Sequence, residues 1–328
     1  MYILIEKLYS SFIICKTSFL YSNVIIFSKK EALTEGIFGQ CLIWLLELLY
    51  HLENNNKINN STKIIFDINT LNNDNLIPNF ILPNKLYKKN SLVNPVKISL
   101  AGFKENRTMS EFKFNEDSFR IASDIFHKYF KFSELVAEKL FFLNINKNVL
   151  GVHYRGTDKN YDNGQTNPVL ISEMILIVED FMNSTEEVNS IFCCSDEKEF
   201  IKRMKSKFKN KIIEYPQLRA HNSKNNAFFR TGSSIWTTRR KRNQLTISSI
   251  IDMLLLSKCN SVIKSSSALS SFSKIIDPSV NLYAVSAMKK KWFPTGVVNV
   301  YKTKSETISA ILTRTMKDDV FQNLNKQK

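Results

Sequence analysis

The chain has 328 residues, 43% of them hydrophobic, and a net charge of +16. That length suits about two domains of ordinary size, and the apolar content excludes a disordered or fibrous chain. The excess of Lys and Arg asks for an anionic partner, whether nucleotide, phosphoglycan, lipid surface or nucleic acid.

The N-terminus is apolar but is interrupted by Glu6, Lys7 and Lys16. With no clean run of about 18 apolar residues, neither a membrane anchor nor a signal peptide is expected. A cytoplasmic protein follows, with peripheral contact to an anionic membrane surface as the open alternative. The first predicted strand, near 24–27, runs into Gly36-Ile37-Phe38-Gly39-Gln40 and then an apolar helix to about residue 52. A second strand is expected at 63–68. The Asn-rich stretches at 54–60 and 69–79 read as loops, and helices at about 116–130 and 133–143 close this half. Residues 144–148 are the expected hinge.

Beyond the hinge, strands and helices alternate. A strand at 149–154 is followed by a helix opening at Asn167-Pro168, a suitable N-cap and N1 pair. A strand at 188–194, a helix at 197–208 and a short strand at 211–214 come next. Phe200, Ile201, Met204 and Phe208 share one face of that helix, with lysines on the other. The segment 216–243 reads as a long irregular loop containing the run Arg239-Arg240-Lys241-Arg242. It is either a flap over a ligand or a solvated basic loop. A helix at about 244–257, a strand at 261–264, a helix at 268–276 and a strand at 281–285 complete the pattern. Repeated strand–helix units imply a parallel sheet covered by helices on both faces. A further helix after residue 305 is expected to pack back on the first domain.

The five cysteines (Cys15, Cys41, Cys193, Cys194 and Cys259) sit in apolar runs and are expected to be buried thiols. No spacing suits a metal site. Cys193 and Cys194 are adjacent on a strand and would face opposite sides of the sheet.

The candidate chemistry lies where strands end, because ligands of open α/β sheets bind beyond the carboxyl ends of their strands. After the first strand of the second half come His153, Arg155, Gly156, Asp158 and Lys159. An Arg there suits a phosphate, since its planar fork matches two oxygens and keeps its charge. Gly156 allows a turn or a close ligand approach. Ser195 and Asp196 follow the next strand, and Ser265, Ser266 and Ser267 open a helix whose N-terminus favours an anion. Plainer readings stand beside these. Asp196 with Glu199 resembles a helix cap, His153 fits a satisfied core histidine, and serine runs open many helices. Asp252, within a strongly apolar stretch, needs either a structural partner or a ligand.

The segments GVHYRGTDK, IFCCSDE and IDMLLLSKCNSVIKSSSALSSF resemble, in order and spacing, three peptide regions of the α1,6- and O-fucosyltransferase superfamily. That group includes the core α1,6-fucosyltransferases and the bacterial nodulation fucosyltransferases. The likeness spans residues 149–277, and Pro168 falls where the family has a proline. It covers the first half only in outline, through the Gly36–Gln40 turn.

The resemblance implies a GT-B-like fold, two Rossmann-like domains facing a cleft. Residues 1–145 would form the acceptor side, 146–300 the GDP-sugar-binding domain and 301–328 the tail. It implies an inverting, metal-independent transfer of fucose from GDP-fucose to a glycan or glycolipid acceptor, with neither cofactor nor metal. Arg155 would contact the β-phosphate, and His153 and Asp252 the guanosine. Ser267 or Ser266 would reach a phosphate, and Asp158 and Asp196 would hold the constellation together with Gly156 and Lys159. Some α1,6 enzymes carry a glutamate as general base where this chain has Asn163. Asp162 beside it and Glu35 by the Gly-rich turn are the candidates that remain. Alternatives are another GDP-sugar, an inactive sugar-nucleotide-binding relative, and a basic nucleic-acid-binding protein. No nucleic-acid-binding motif supports the last of these, and no nucleic-acid partner is expected.

Overall fold

A computed structural model describes residues 24–29, 46, 49, 50, 52–54, 58, 62–68, 81–83, 96–99, 116–140, 145–156, 170–216, 239–265, 267–285 and 299–300. The chain divides into two compact units, Met1–Phe112 with Ile121–Ala137, and Lys113–Arg120 with Glu138–Lys328.

In the first unit, strands β1 (Val24–Lys29), β2 (Lys63–Ile68) and β4 (Val96–Ser99) form a parallel sheet in the order β2-β1-β4. Ile25, Ile26 and Phe27 lie opposite Ile64, Ile65 and Phe66. Strand β3 (Ile81–Pro83) pairs antiparallel with β5 (Phe130–Phe132). The sequence pattern foresees helices across this last region but not β5, which separates α1 (Glu116–Tyr129) from α2 (Glu134–Leu140). The reason is tertiary. Phe130 is buried and Lys131 exposed, a strand alternation stabilised by a partner almost fifty positions away. Phe126 of α1 packs on Phe130 and Phe132 with ring centroids 5.7 and 5.5 Å away.

The second unit holds a six-stranded, wholly parallel sheet. Its elements in chain order are β6 (Val149–Tyr154), α3 (Ile171–Ser184), β7 (Ser190–Ser195), α4 (Lys198–Phe208), β8 (Ile212–Ile213), α5 (Arg239–Lys258), β9 (Ser261–Lys264), α6 (Ala268–Ile276), β10 (Asn281–Ala284) and β11 (Asn299–Val300). The spatial order is β11-β10-β9-β6-β7-β8. The direction of winding therefore reverses between β9 and β6, the kind of position where open sheets bind ligands.

All six residues of β6 are buried, which explains its nearly unbroken apolar run. Leu150, Val152 and Tyr154 face one side with Ile191, Cys193 and Ile263, and meet Met174, Ile177, Val178 and Phe181 of α3 and Phe200, Ile201 and Met204 of α4. The Tyr154 and Phe200 rings stack with centroids 4.5 Å apart. Each such side chain contributes about 1.5–3 kcal/mol relative to exposure. The opposite side of β6 lies against α5. A Cβ added at Gly151 would come within 2.9 Å of both Leu256 and Val262 and 3.3 Å of Cys259. Only glycine lets that helix lie so close.

Two helix starts differ from the sequence pattern. Helix α3 begins at Ile171, with Leu170 at its N-cap, and Glu173 Oε2 accepts the Leu170 N–H at 2.9 Å. Asn167 and Pro168 lie outside the described residues. Helix α5 begins at Arg239, so the basic run is its first turn rather than part of an irregular loop. Arg, Lys and Gln are good helix formers and no Gly or Pro intervenes up to Lys258, so the helix extends backward from its buried half. Cys193, Cys194 and Cys259 are buried free thiols, whereas Cys15 and Cys41 fall outside the described residues. Among the described residues, no helix is long and apolar enough to cross a membrane.

Overpacking at Gly151 tests this account. Gly151→Val is expected to lower stability by about 1–3 kcal/mol, read as a lower denaturant midpoint at unchanged m-value.

Candidate functional site

The register of β6 assembles the site. Against β7, Tyr154 pairs with Ser195, so the next residues of the two strands, Arg155 and Asp196, leave the sheet side by side. Against β9, His153 pairs with Lys264, which brings Ser265 to the same edge. Four hydrogen bonds follow. Arg155 Nη1 donates to Asp196 Oδ2, and the Gly156 N–H donates to Asp196 Oδ1 at 3.0 Å. The Arg155 N–H donates to Ser265 Oγ at 2.6 Å, while the Ser265 N–H donates to the His153 carbonyl at 3.0 Å. Asp196 thus clamps both the side chain of Arg155 and the backbone after it. The side chains of Arg155 and Asp196 retain 19% and 9% of their accessible surface, so the pair is largely shielded from water.

These contacts decide between the readings left open for Asp196. The residue at the N-cap of α4 is Glu197, and no side chain caps that helix. Asp196 is a partner of Arg155. Gly156 is also tightly surrounded. Its backbone does not adopt the left-handed conformation, but a Cβ there would collide with Glu197 Oε2 and lie 2.9 Å from Tyr154 Cε1. The end of the Glu197 side chain thus occupies the space that a side chain at Gly156 would take.

On the β9 side, Ser267 is the N-cap of α6 and makes no side-chain cap bond. Its carbonyl accepts from Ser270 Oγ at 3.3 Å and Ser271 Oγ at 3.0 Å. Ser270 Oγ also lies 3.0 Å from His153 Nδ1. His153, 5% exposed, is accordingly tied into the first turn of α6. Asp252 sits on α5 and is 4% exposed, and its charge adds to burial in raising the Tyr215 phenol above its usual range. Ser266, Asp158, Lys159, Asp162 and Glu35 lie outside the described residues.

Two ionisable groups at this edge were read from the sequence only as boundaries of elements. Lys264 ends β9 fully buried, with its Nζ 2.9 Å from Ser271 Oγ, and burial draws its amine down to about 7. Glu197 is 7% exposed, and its Oε2 has no hydrogen-bond partner among the described residues. Burial pushes its carboxyl above the usual range, the charges of Asp196 and Glu199 push the same way, and Arg203 opposes them. The available signal was two consecutive acids directly after an apolar strand, which helix periodicity absorbs as a helix start. Glu197 also lines a cavity of about 280 Å³ with Tyr154, Leu170, Ile171, Ser172 and Arg203.

No family model matches the chain, and no curated protein matches it. Similar solved structures include the NodZ alpha-1,6-fucosyltransferase soaked with GDP-fucose, at 13% identity and a TM-score of 0.47, over 77% of this chain and 92% of that one. The same enzyme co-crystallised with GDP gives a TM-score of 0.46 over the same shares, again at 13% identity. The fucosyltransferase NodZ from Bradyrhizobium gives 0.45 at 13%, over 77% of this chain and 93% of that one. At these values the similarity is one of fold outline and carries no statement about substrate.

Lys264 yields a signed prediction. Its folded-state value, near 7, lies below the 10.5 of an ordinary amine. Between those values the unfolded chain binds the proton that the folded protein does not, so stability rises with pH. The rise is about 1.4 kcal/mol per pH unit at most, and below the folded value the full penalty applies. Lys264→Met should remove this slope between about pH 7 and 10, as measured by chemical denaturation at each pH.

Proposed function

We propose that the protein is a glycosyltransferase that holds the diphosphate of a GDP-linked sugar at the carboxyl edge of the six-stranded sheet and transfers the sugar to a glycan. The observation that carries this reading is the clamped guanidinium. Arg155 is oriented by Asp196 at the point where the winding of the sheet reverses, next to the serine-rich start of α6. An arginine fixed in that way is suited to oxygen atoms whose charge increases as a bond breaks.

In the transfer, the bond between the sugar anomeric carbon and the β-phosphate oxygen breaks, and its electron pair leaves with the diphosphate. Arg155 stabilises that developing charge without having to reorganise, because Asp196 already holds it. The N–H groups of the first turn of α6 and the Ser267 hydroxyl supply further donors on the other side. His153 and Asp252 are assigned to the guanosine, with the Asp252 carboxylate suited to the donor edge of guanine. Fucose is the sugar favoured by the likeness of residues 149–277 to the fucosyltransferase motifs. The same likeness supports inversion, independence of metal and a GT-B arrangement with residues 1–145 on the acceptor side. The acceptor's proton is assigned to Asp162 or Glu35. A net charge of +16 suits a glycan carried on an anionic surface.

Calorimetric titration with GDP in metal-free buffer tests the reading. Binding is expected for the wild type. Arg155→Ala should weaken it by about 100-fold or more, since it removes charge-assisted bonds to phosphate. Asp196→Asn should weaken it by roughly tenfold, by loosening the guanidinium. Unchanged affinity in Arg155→Ala would remove the basis of the assignment.

A further inference from the structure

We infer that the exposed side of α4 and the turn after it form a docking surface for an anionic lipid bilayer, held there by lysines and not by inserted apolar groups. Sugar-nucleotide binding at Arg155 is neither needed for this surface nor implied by it.

Between Lys198 and Lys211 the chain carries seven Lys or Arg and one acid, Glu199, so this stretch accounts for +6 of the net charge of +16. The helix period sorts these residues. Phe200, Ile201 and Met204 are buried, whereas Lys198, Lys202, Lys205 and Lys209 follow at spacings of four, three and four and share one stripe. All four are exposed, as is Lys211. The acids nearby are already taken: Glu199 by Arg203, Glu214 by Lys205 and Glu179 by Lys207. Among the described residues, no salt bridge engages Lys198, Lys202, Lys209 or Lys211. Lys209, at the C-cap of α4, is also held at φ 50°, in the region that favours glycine. Its charge is kept on this face at a backbone cost, and proteins retain such strain mainly at working positions.

The chemistry of the face selects its partner. The apolar side of α4 is already buried in the core, so this helix has none left to insert among acyl chains and meets a bilayer through charge alone. Clusters of about four to eight Lys or Arg on a helix are attracted to anionic headgroups in that way. Nucleic acid is the competing polyanion. Single strands are held by aromatic platforms, and duplexes by an element that enters a groove. The two aromatic residues of α4, Phe200 and Phe208, pack into the core instead, and the stripe itself carries none. A broad cationic face without stacking groups fits a lipid surface better.

Co-sedimentation of the full chain with vesicles tests the inference. Vesicles of equimolar phosphatidylcholine and phosphatidylserine should bind the wild type at low ionic strength, and phosphatidylcholine alone should not. Binding should fall as salt is added, because exposed charges are screened. A variant combining Lys198→Gln, Lys202→Gln, Lys205→Gln and Lys209→Gln should lose on the order of 100-fold in partitioning, since each lysine near such a surface contributes about fivefold. A control combining Lys131→Gln, Lys139→Gln, Lys147→Gln and Lys258→Gln sheds the same charge elsewhere and should change partitioning only slightly. Amine acetylation read by mass spectrometry gives a second measure on the unaltered chain. Vesicles should protect Lys198, Lys202, Lys205 and Lys209 and leave Lys131 and Lys258 reactive. No binding to the anionic vesicles, a stripe variant that binds as the control does, or protection of all six lysines alike overturns the inference. Binding of single-stranded RNA through the stripe, with none to vesicles, also overturns it and makes nucleic acid the partner. GDP titration of the same samples reports separately on the sugar-nucleotide site.

Discussion

The site depends on the register of β6 against its two neighbours. Tyr154 pairs with Ser195 and His153 with Lys264, so three strand ends stop at one level. A parallel strand shifted by one residue would turn Arg155 to the other face of the sheet and separate it from Asp196. The register is itself fixed by burial. Leu150, Val152 and Tyr154 must face α3 and α4, while Gly151 must face the closely packed α5. The pair of charges at the edge is thus positioned by apolar residues that make no contact with any ligand.

Charge burial around this edge is uneven. Arg155 and Asp196 compensate each other, and the Asp196 carboxylate is further satisfied by the Gly156 N–H. Lys264 has a hydroxyl beside it and complete burial, a costly arrangement for an ammonium, and its amine is correspondingly easy to neutralise. Among the described residues, Glu197 Oε2 has no hydrogen-bond partner. Such groups weaken a fold and persist mainly where function uses them. Both stand within a few residues of the strand ends, whereas the apolar interior beneath is continuous.

Much of the second unit was legible locally. β9 and α6 run from 261 to 264 and from 268 to 276 as the period changes indicate, because a buried parallel strand and an amphipathic helix each leave a short-range signature. The first unit was less legible. The strands at 81–83 and 96–99 are short, and β5 depends on a distant partner. The backward extension of α5 through its basic run shows a similar limit, since a charged stretch reads as loop until the helix behind it is known to be buried.

The sequence by itself determined the alternation of strand and helix from residue 149 onward, the identity of Arg155, Asp196 and the serine turn as strand-end groups, and the burial of Cys193, Cys194 and Cys259. These follow from local pattern, which adjacent residues carry among themselves. Only the tertiary structure decided that Asp196 holds Arg155 rather than capping a helix, that Gly156 lies against the Glu197 carboxylate, and that Glu197 is a buried acid. Each of those outcomes depends on which residues of different strands share a level, and that level is set by the side chains packed between sheet and helices. No stretch of neighbouring residues contains it.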